Sequence, residues 1–316
     1  ALARARADWL VGMNLSRLFT LLGRQAGYDG VLSVGRVQTP TLKLVVDRDR
    51  EIARFVSVSY WAIEATLSAG GRAFSAQWVA PAASTDDAGR CLQLPVAQQA
   101  EQQLRAASCV QVDSVETERV REGAPLLFDL GTLQEVCSRQ LGLDVQETLD
   151  IAQALYEKHK ATTYPRSDCG YLPESMFAEV STVLDSLFKT DPTLGTIMHQ
   201  LDRSFQSRAW NDGKVTAHHG IIPTLEPANL SAMNEKELAV YRLIRSHYLA
   251  QFLAHHEYDR TVVSLSCGEL TLVATGKQVA VTGWHLVLAE PQVAEDGDTV
   301  SRVQVLPALR NGMTCQ

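Results

Sequence analysis

The sequence predicts an α+β multidomain chain in which a β-rich domain is split by an inserted, mostly helical domain and preceded by part of another helical domain. Three observations predict this. Strand-like runs between about 56 and 122 stop, and the same texture returns only after about 255. The residues between, 123–255, carry apolar positions at helical spacing. Residues 1–55 also read as helical and contain a single proline, Pro40. A domain whose two halves flank another arises when one is inserted into the other.

Residues 5–26 carry apolar positions at Trp9, Leu10, Met13, Leu18, Leu21 and Leu22 and no proline, which reads as a helix, with Gly12 where an interruption would fall. Gly27-Tyr28-Asp29-Gly30 ends that helix, and Pro40 suits the start of a second one reaching about Phe55. The Asp47-Arg48-Asp49-Arg50-Glu51 run looks like an acidic metal pair. Its apolar neighbours have helical spacing, so it reads as a solvated helix face. Strands are expected from Tyr60 to Ser68 and from Ala73 to Val79, around a Gly70-Gly71 hairpin turn. A glutamine-rich helix follows at 96–107, then a strand at 109–120. Inside the insert, Leu130 to Leu141 and Val145 to Lys158 read as helices joined at Gly142, compatible with a helix-turn-helix element or an ordinary helical hairpin. Arg260 to Ser266, Glu269 to Thr275 and Ser301 to Val305 return to strand texture.

At 316 residues the chain exceeds one typical core. No apolar run approaches the roughly 18 residues of a membrane span, and no secretory segment opens the chain, so a cytoplasmic protein is expected. The six cysteines are scattered with no CxxC pair, which indicates neither a zinc site nor a disulfide framework. His255-His256 is a metal pair on paper only, without a third ligand at sensible spacing, so no bound metal is expected. The net charge of −7 argues against a protein that coats duplex DNA. Residues 1–50 nevertheless carry eight Lys/Arg against four Asp, a local excess of four positive charges that suits a groove for a short single strand.

Chemistry concentrates in two clusters, Thr162-Thr163-Tyr164-Pro165-Arg166-Ser167-Asp168-Cys169 and Ala217-His218-His219-Gly220-Ile221-Ile222-Pro223-Thr224. Tyrosine, arginine and histidine supply a nucleophile, a cation for phosphate oxygens and a titratable group, a set suited to phosphoryl transfer between DNA and protein. A Tyr-Leu-Pro-Glu run follows at Tyr171 to Glu174. Nearer the start stand Arg4-Ala5-Arg6-Ala7-Asp8-Trp9-Leu10 and Ser33-Val34-Gly35-Arg36-Val37-Gln38-Thr39-Pro40.

Together, and in this order, these segments resemble a type IA DNA topoisomerase of the topoisomerase III group, over nearly the whole chain. The resemblance implies a β-rich arch (56–122 and 256–316) that carries a helical domain (123–255) bearing the tyrosine. Residues 1–55 would be part of a helical single-strand-binding domain. Separation of the domains would open a gate for DNA, serving relaxation and decatenation. Tyr164 would be the nucleophile that leaves a 5′-phosphotyrosine, with Arg166 and His218 as its catalytic partners. Arg4, Asp8, Arg36, Gln38, Ser167, Asp168, His219 and Thr224 would contact DNA. Gly220 stands where the family usually has alanine, a departure expected to matter little.

The family's Toprim domain, which holds Mg2+ on an acidic pair, is missing before Ala1, and the rest of the helical domain is expected after Gln316. The chain thus reads as a fragment whose partners are single-stranded DNA and its own Toprim domain. In isolation it is expected to bind strands and to cleave poorly or not at all. A bacterial parent would be associated with the nucleoid. Two rival readings remain open. A tyrosine recombinase would place its arginines and histidine before the nucleophile and form a 3′-phosphotyrosine; a DNA-holding scaffold would carry a vestigial tyrosine.

Overall fold

The computed structural model describes residues 2–288 and 304–316, in two compact units of residues 1–60 and 61–316. The first unit is two helices, α1 (Leu2–Gln25) and α2 (Gln38–Ala53), and neither buries a residue within the described chain. α1 runs unbroken through Gly12. A Cβ there would meet the Val34 carbonyl oxygen at 3.2 Å, so the glycine admits the segment that connects the helices. That segment is pinned to α1 by the Leu32 N–H on Thr20 Oγ1 (3.0 Å) and the Val34 N–H on Ser16 Oγ (2.8 Å). The charged run of α2 is a helix surface, with Lys43 paired to Asp47 and Arg48 to Glu51.

The second unit contains one six-stranded antiparallel sheet, ordered β1-β2-β5-β4-β3-β6. Its strands are β1 (Glu64–Ala69), β2 (Arg72–Val79), β3 (Val110–Glu122), β4 (His256–Cys267), β5 (Leu270–Val281) and β6 (Thr314–Cys315). Gly70 and Gly71 both take positive φ (57° and 78°), the conformation that a two-residue hairpin matching strand twist requires. The sheet closes on itself. Ser68 in β1 exchanges backbone hydrogen bonds with Gln316 beside β6, at 2.6 and 3.0 Å. Leu67, Phe74, Ala76, Val112, Val263, Leu265, Leu272 and Ala274 alternate inward to fill it. α3 (Leu94–Ala106) packs Ala97 and Ala100 against Trp78 and Cys91.

Two strand expectations change. Residues 60–63 are not regular strand; only Trp61 makes an isolated bridge, to Cys91. Residues 301–303 lie outside the described residues, and Gln304 and Val305 are irregular. Gln304 acts through its side chain instead. Its amide accepts from the Ser75 N–H (2.8 Å) and donates to the Ser75 (2.7 Å) and Thr275 (3.2 Å) carbonyls, bridging β2 and β5.

All residues between β3 and β4 form the helical part, with α4 (Leu130–Leu141), α5 (Val145–Glu157), α6 (Val180–Thr190), the short α7 (Gly195–Met198) and α8 (Glu235–Ala250). They share a separate core built on Leu133, Leu155, Leu184, Leu187, Ile244 and Phe252. Asp129 and Asp144 cap α4 and α5, accepting from the Thr132 and Glu147 N–H groups, both at 2.7 Å. Gly142 ends α4 at φ 65°, which a residue with a Cβ adopts at a cost.

Candidate active site

The tyrosine segment is built outward from the ends of α4 and α5. α5 ends with a turn through Lys160, held in the left-handed region at φ 51°. Strain of that kind costs on the order of 1 kcal/mol and persists only where neighbours over-determine it. Here the Ala161 N–H reaches back to the Leu155 carbonyl (2.9 Å), and the Thr224 hydroxyl donates to the Lys160 carbonyl (2.7 Å). Beyond the tyrosine, the Ser167 carbonyl accepts the Leu130 N–H (2.9 Å), satisfying one donor that the start of α4 would otherwise leave unpaired.

Between these anchors the two sequence clusters are stitched together. The Thr163 N–H donates to the Ile222 carbonyl (2.9 Å) and the Thr224 N–H to the Ala161 carbonyl (3.2 Å). The Thr163 hydroxyl supplies a further rung. It accepts the Ile222 N–H at 3.0 Å and donates to the Gly220 carbonyl at 3.3 Å. Pro223 is tolerated because it faces Thr162 at an isolated bridge in which no N–H from position 223 is needed.

Residues 164–169 then alternate in exposure. Tyr164, Arg166 and Asp168 face outward, while Pro165, Ser167 and Cys169 are buried. This is the period-2 geometry of an extended chain, and it sets a phenol, a guanidinium and a carboxylate along one edge. The Tyr164 ring lies 4.8 Å from the His218 ring and meets the Tyr156 ring edge-on at 5.7 Å. Arg166 is exposed and, among the described residues, has no hydrogen-bond or ion-pair partner, so its guanidinium is available to an anion. Asp168 accepts from the Thr216 hydroxyl (2.8 Å), which ties the edge to the histidine loop. His219 turns its Nδ1 to the Gly220 carbonyl (2.8 Å), so that nitrogen donates. Ser167 is buried and its hydroxyl is shared with the Cys169 backbone, accepting the N–H at 3.1 Å, so it shapes the loop.

Asp168, Thr216, Lys214 and Tyr171 also border a cleft of about 480 Å³ that reaches His247 on α8. Burial pushes the His247 imidazole down to about 4, and its Nδ1 donates to the Leu243 carbonyl (3.0 Å). Near the end of α5, Glu237 of the α8 cap lies 3.2 Å from His159 Nε2 and 3.6 Å from Lys158 Nζ. The Asn234 N–H first, then His159 and Lys158, hold its carboxyl below the usual range.

Arg4, Asp8, Arg36 and Gln38 belong to the first unit. Arg36 Nε bonds Asp8 Oδ2 at 2.8 Å, Ser33 Oγ donates to Gln38 Oε1 at 2.8 Å, and Arg4 is exposed. Sequence reasoning passed over Tyr156 and Thr216. Neither has a motif of its own; each matters only through the segment it touches.

Magnesium requires several oxygen ligands in octahedral array. Asp168 is the single carboxylate in the two clusters around Tyr164, and one of its oxygens accepts from Thr216, which leaves too few oxygens for such a shell. Among the described residues the one cluster of three potential metal ligands lies elsewhere, at Glu122, His256 and His285. The residues around Tyr164 therefore do not fit a magnesium site.

The family model described as DNA topoisomerase matches residues 1–316. The protein named DNA topoisomerase 3 from Vibrio cholerae is 38% identical over 314 residues, covering 97% of this chain and 48% of its own length. Its counterpart from Salmonella typhimurium is 41% identical over 302 residues, covering 94% and 46%. The chain thus spans about half the length of the curated relatives it matches. Full-length topoisomerase I from Thermotoga maritima superposes with a TM-score of 0.69 at 23% identity, over 99% of this chain and 47% of that one, and so shares the fold.

Proposed function

This chain belongs to the DNA topoisomerase family, in the type IA, topoisomerase III group, and on that premise we propose that Tyr164 is the nucleophile that cleaves and reseals one DNA strand. The observation that carries the proposal is the outward edge of Tyr164, Arg166 and Asp168, with His218 beside the tyrosine ring. In the proposed step the Tyr164 phenol loses its proton and its oxygen bonds to phosphorus. The bond from phosphorus to the 3′ oxygen breaks, and that oxygen leaves as a hydroxyl after taking up a proton. The 5′-phosphotyrosine conserves the bond energy, so reversal reseals the strand without ATP.

A phenol ionises only near pH 10, about three units above neutrality. The unpaired Arg166 fork lowers the cost of charge on the phosphate oxygens. His218 would contact the phosphate or steady the tyrosine ring, while Asp168 and His219 would border the strand. Thr224 serves by bracing the Lys160 turn. In the first unit Arg4 and Arg36 would hold phosphates of single-stranded DNA, with Asp8 and Gln38 orienting the cations or meeting bases. Cleavage is expected to need carboxylate-held magnesium from the Toprim domain of the same protein, for strand relaxation or decatenation. In this reading residues 56–122 and 256–316 would form the arch, 123–255 the inserted domain and 1–55 part of the helical single-strand-binding domain.

The test uses a 3′-labelled single-stranded oligonucleotide with magnesium, with and without that Toprim domain added in trans, quenched with detergent. A labelled protein adduct that needs the added domain and disappears in Tyr164→Phe, while strand binding is retained, is the expected result. An adduct that survives Tyr164→Phe, or one joined through the 3′ end, would overturn the assignment.

A further inference from the structure

We propose a site for a first-row divalent cation such as zinc at the neck of the helical part, formed by Glu122, His256 and His285. Glu122 is the last residue of β3 and His256 the first of β4, and the two are paired in register. Every residue of the helical part lies between them in sequence. His285 sits in the short turn after β5, at Gly283–Leu286. One ligand atom from each of the three lies within 4.8 Å of the others.

The His256 ring is the decisive feature. The residue is 2% exposed, and its Nδ1 faces the Thr282 carbonyl at 3.1 Å, so Nδ1 carries the proton. Its Nε2 then presents a lone pair, is buried, and has no hydrogen-bond partner among the described residues. Buried polar atoms of folded proteins are nearly always satisfied, so one aimed into a cluster of potential ligands calls for an explanation. Metal-bound imidazoles commonly donate their other N–H to a backbone carbonyl, which is the arrangement found here.

The other two groups are held in the same manner. Glu122 Oε1 accepts from the Tyr258 hydroxyl (2.9 Å), leaving its second oxygen for a cation. Trp284 donates its indole N–H to the Glu122 carbonyl (2.9 Å) and stacks on the His285 ring at 3.9 Å. Two imidazoles and one carboxylate form a set that suits zinc rather than magnesium or calcium, which prefer all-oxygen shells. A tetrahedral zinc with ligands at about 2.0–2.1 Å brings donor atoms to about 3.3 Å apart. The half-exposed Glu122 and His285 side chains can close that gap while buried His256 stays fixed.

The neighbouring His255 takes no part. It lies just before β4, exposed and against the Phe205 ring (6.0 Å), so the adjacent histidines are not a chelating pair. A bound cation would join the ends of β3 and β4 to the turn after β5. That would clamp the point where the chain leaves the sheet for the helical part and returns.

The test is zinc titration by calorimetry into the full, untagged, chelator-treated chain, together with the cobalt absorption spectrum. Wild type should bind one equivalent at micromolar zinc, reversibly with chelator, and give cobalt bands of tetrahedral intensity. Its Tm should rise by on the order of 5 °C at a hundredfold excess over Kd. Glu122→Gln and His285→Gln, both at partly exposed positions, should each weaken zinc at least tenfold and alter the cobalt spectrum, with far-UV circular dichroism unchanged. Absence of one-equivalent binding by wild type overturns the proposal. So does binding that both variants leave untouched, which would place the metal on other groups such as the cysteines.

Discussion

Replacing Thr162 and Thr163 by valine, one at a time, should shift stability in opposite directions although the two are neighbours with the same side chain. Valine keeps the branched shape and removes only the hydroxyl. The Thr163 hydroxyl is the acceptor for the Ile222 N–H, on a residue that is 3% exposed. Without it that N–H is stranded in a place water does not reach, which costs about 1–3 kcal/mol. The Gly220 carbonyl loses a donor as well but keeps His219 at 2.8 Å, so no penalty is added there. The Thr162 hydroxyl, on a residue 1% exposed, has no partner among the described residues. Exchanging it for a methyl relieves an unmet desolvation and should stabilise by up to about 1 kcal/mol. The variants should therefore differ by roughly 2 kcal/mol, about thirtyfold in the unfolding equilibrium. Urea titration measures the difference, and hydrogen exchange of the 218–224 peptide localises it, with faster exchange expected only in Thr163→Val. Equal shifts for the two variants, or a Thr163→Val protein as stable as wild type, would refute the hydrogen-bond accounting that holds the tyrosine segment in place.

Gly220→Ala restores the residue usual in the family, yet here it should destabilise by about 1 kcal/mol, since the new Cβ would meet the Leu127 Cβ at 3.0 Å and Leu127 is buried in the helical core; thermal unfolding checks this. Asp129→Ala removes the cap that holds α4 and should cost about 1 kcal/mol in urea, with Asp129→Asn recovering most of it. Stability should fall on acidification. The His247 imidazole is held down to about 4 against an ordinary value near 6.5, so between those limits the unfolded chain binds the proton first and stability drops by on the order of 3 kcal/mol at most. The carboxyls of Asp191, depressed chiefly by the Thr193 hydroxyl, and Glu237, depressed chiefly by the Asn234 N–H, add a further loss below about 4 as pH falls through their folded values. A urea series across pH should show the upper part of this slope flattened in His247→Gln.

The helical hairpin was legible because its signals are local. Gly142 marks the joint of α4 and α5 next to the last residue of α4, and Gly70-Gly71 marks its hairpin for the same reason. Gly12 misled, since its missing Cβ serves an approach by Val34 from outside the helix. Tyr60 to Ile63 misled as well, because whether an extended run becomes a strand depends on which edge comes to meet it. α6 carries no motif and announced itself only by burying Val183, Leu184 and Leu187.

By itself the sequence determined the helices α1 to α5, the split β-rich part and the identity of the chemically capable residues, since these follow from side-chain type and short-range period. It marked Tyr164, Arg166 and His218 by composition and resemblance. Only the tertiary structure decided that Thr163 and Thr224 bind the two clusters into one edge, that Ser167 turns inward, and that Ser68 and Gln316 close the sheet. It alone brought Glu122 and His285 to His256. Those meetings depend on chain returns over long separations, where loop closure and packing set the partner and no local pattern records the choice.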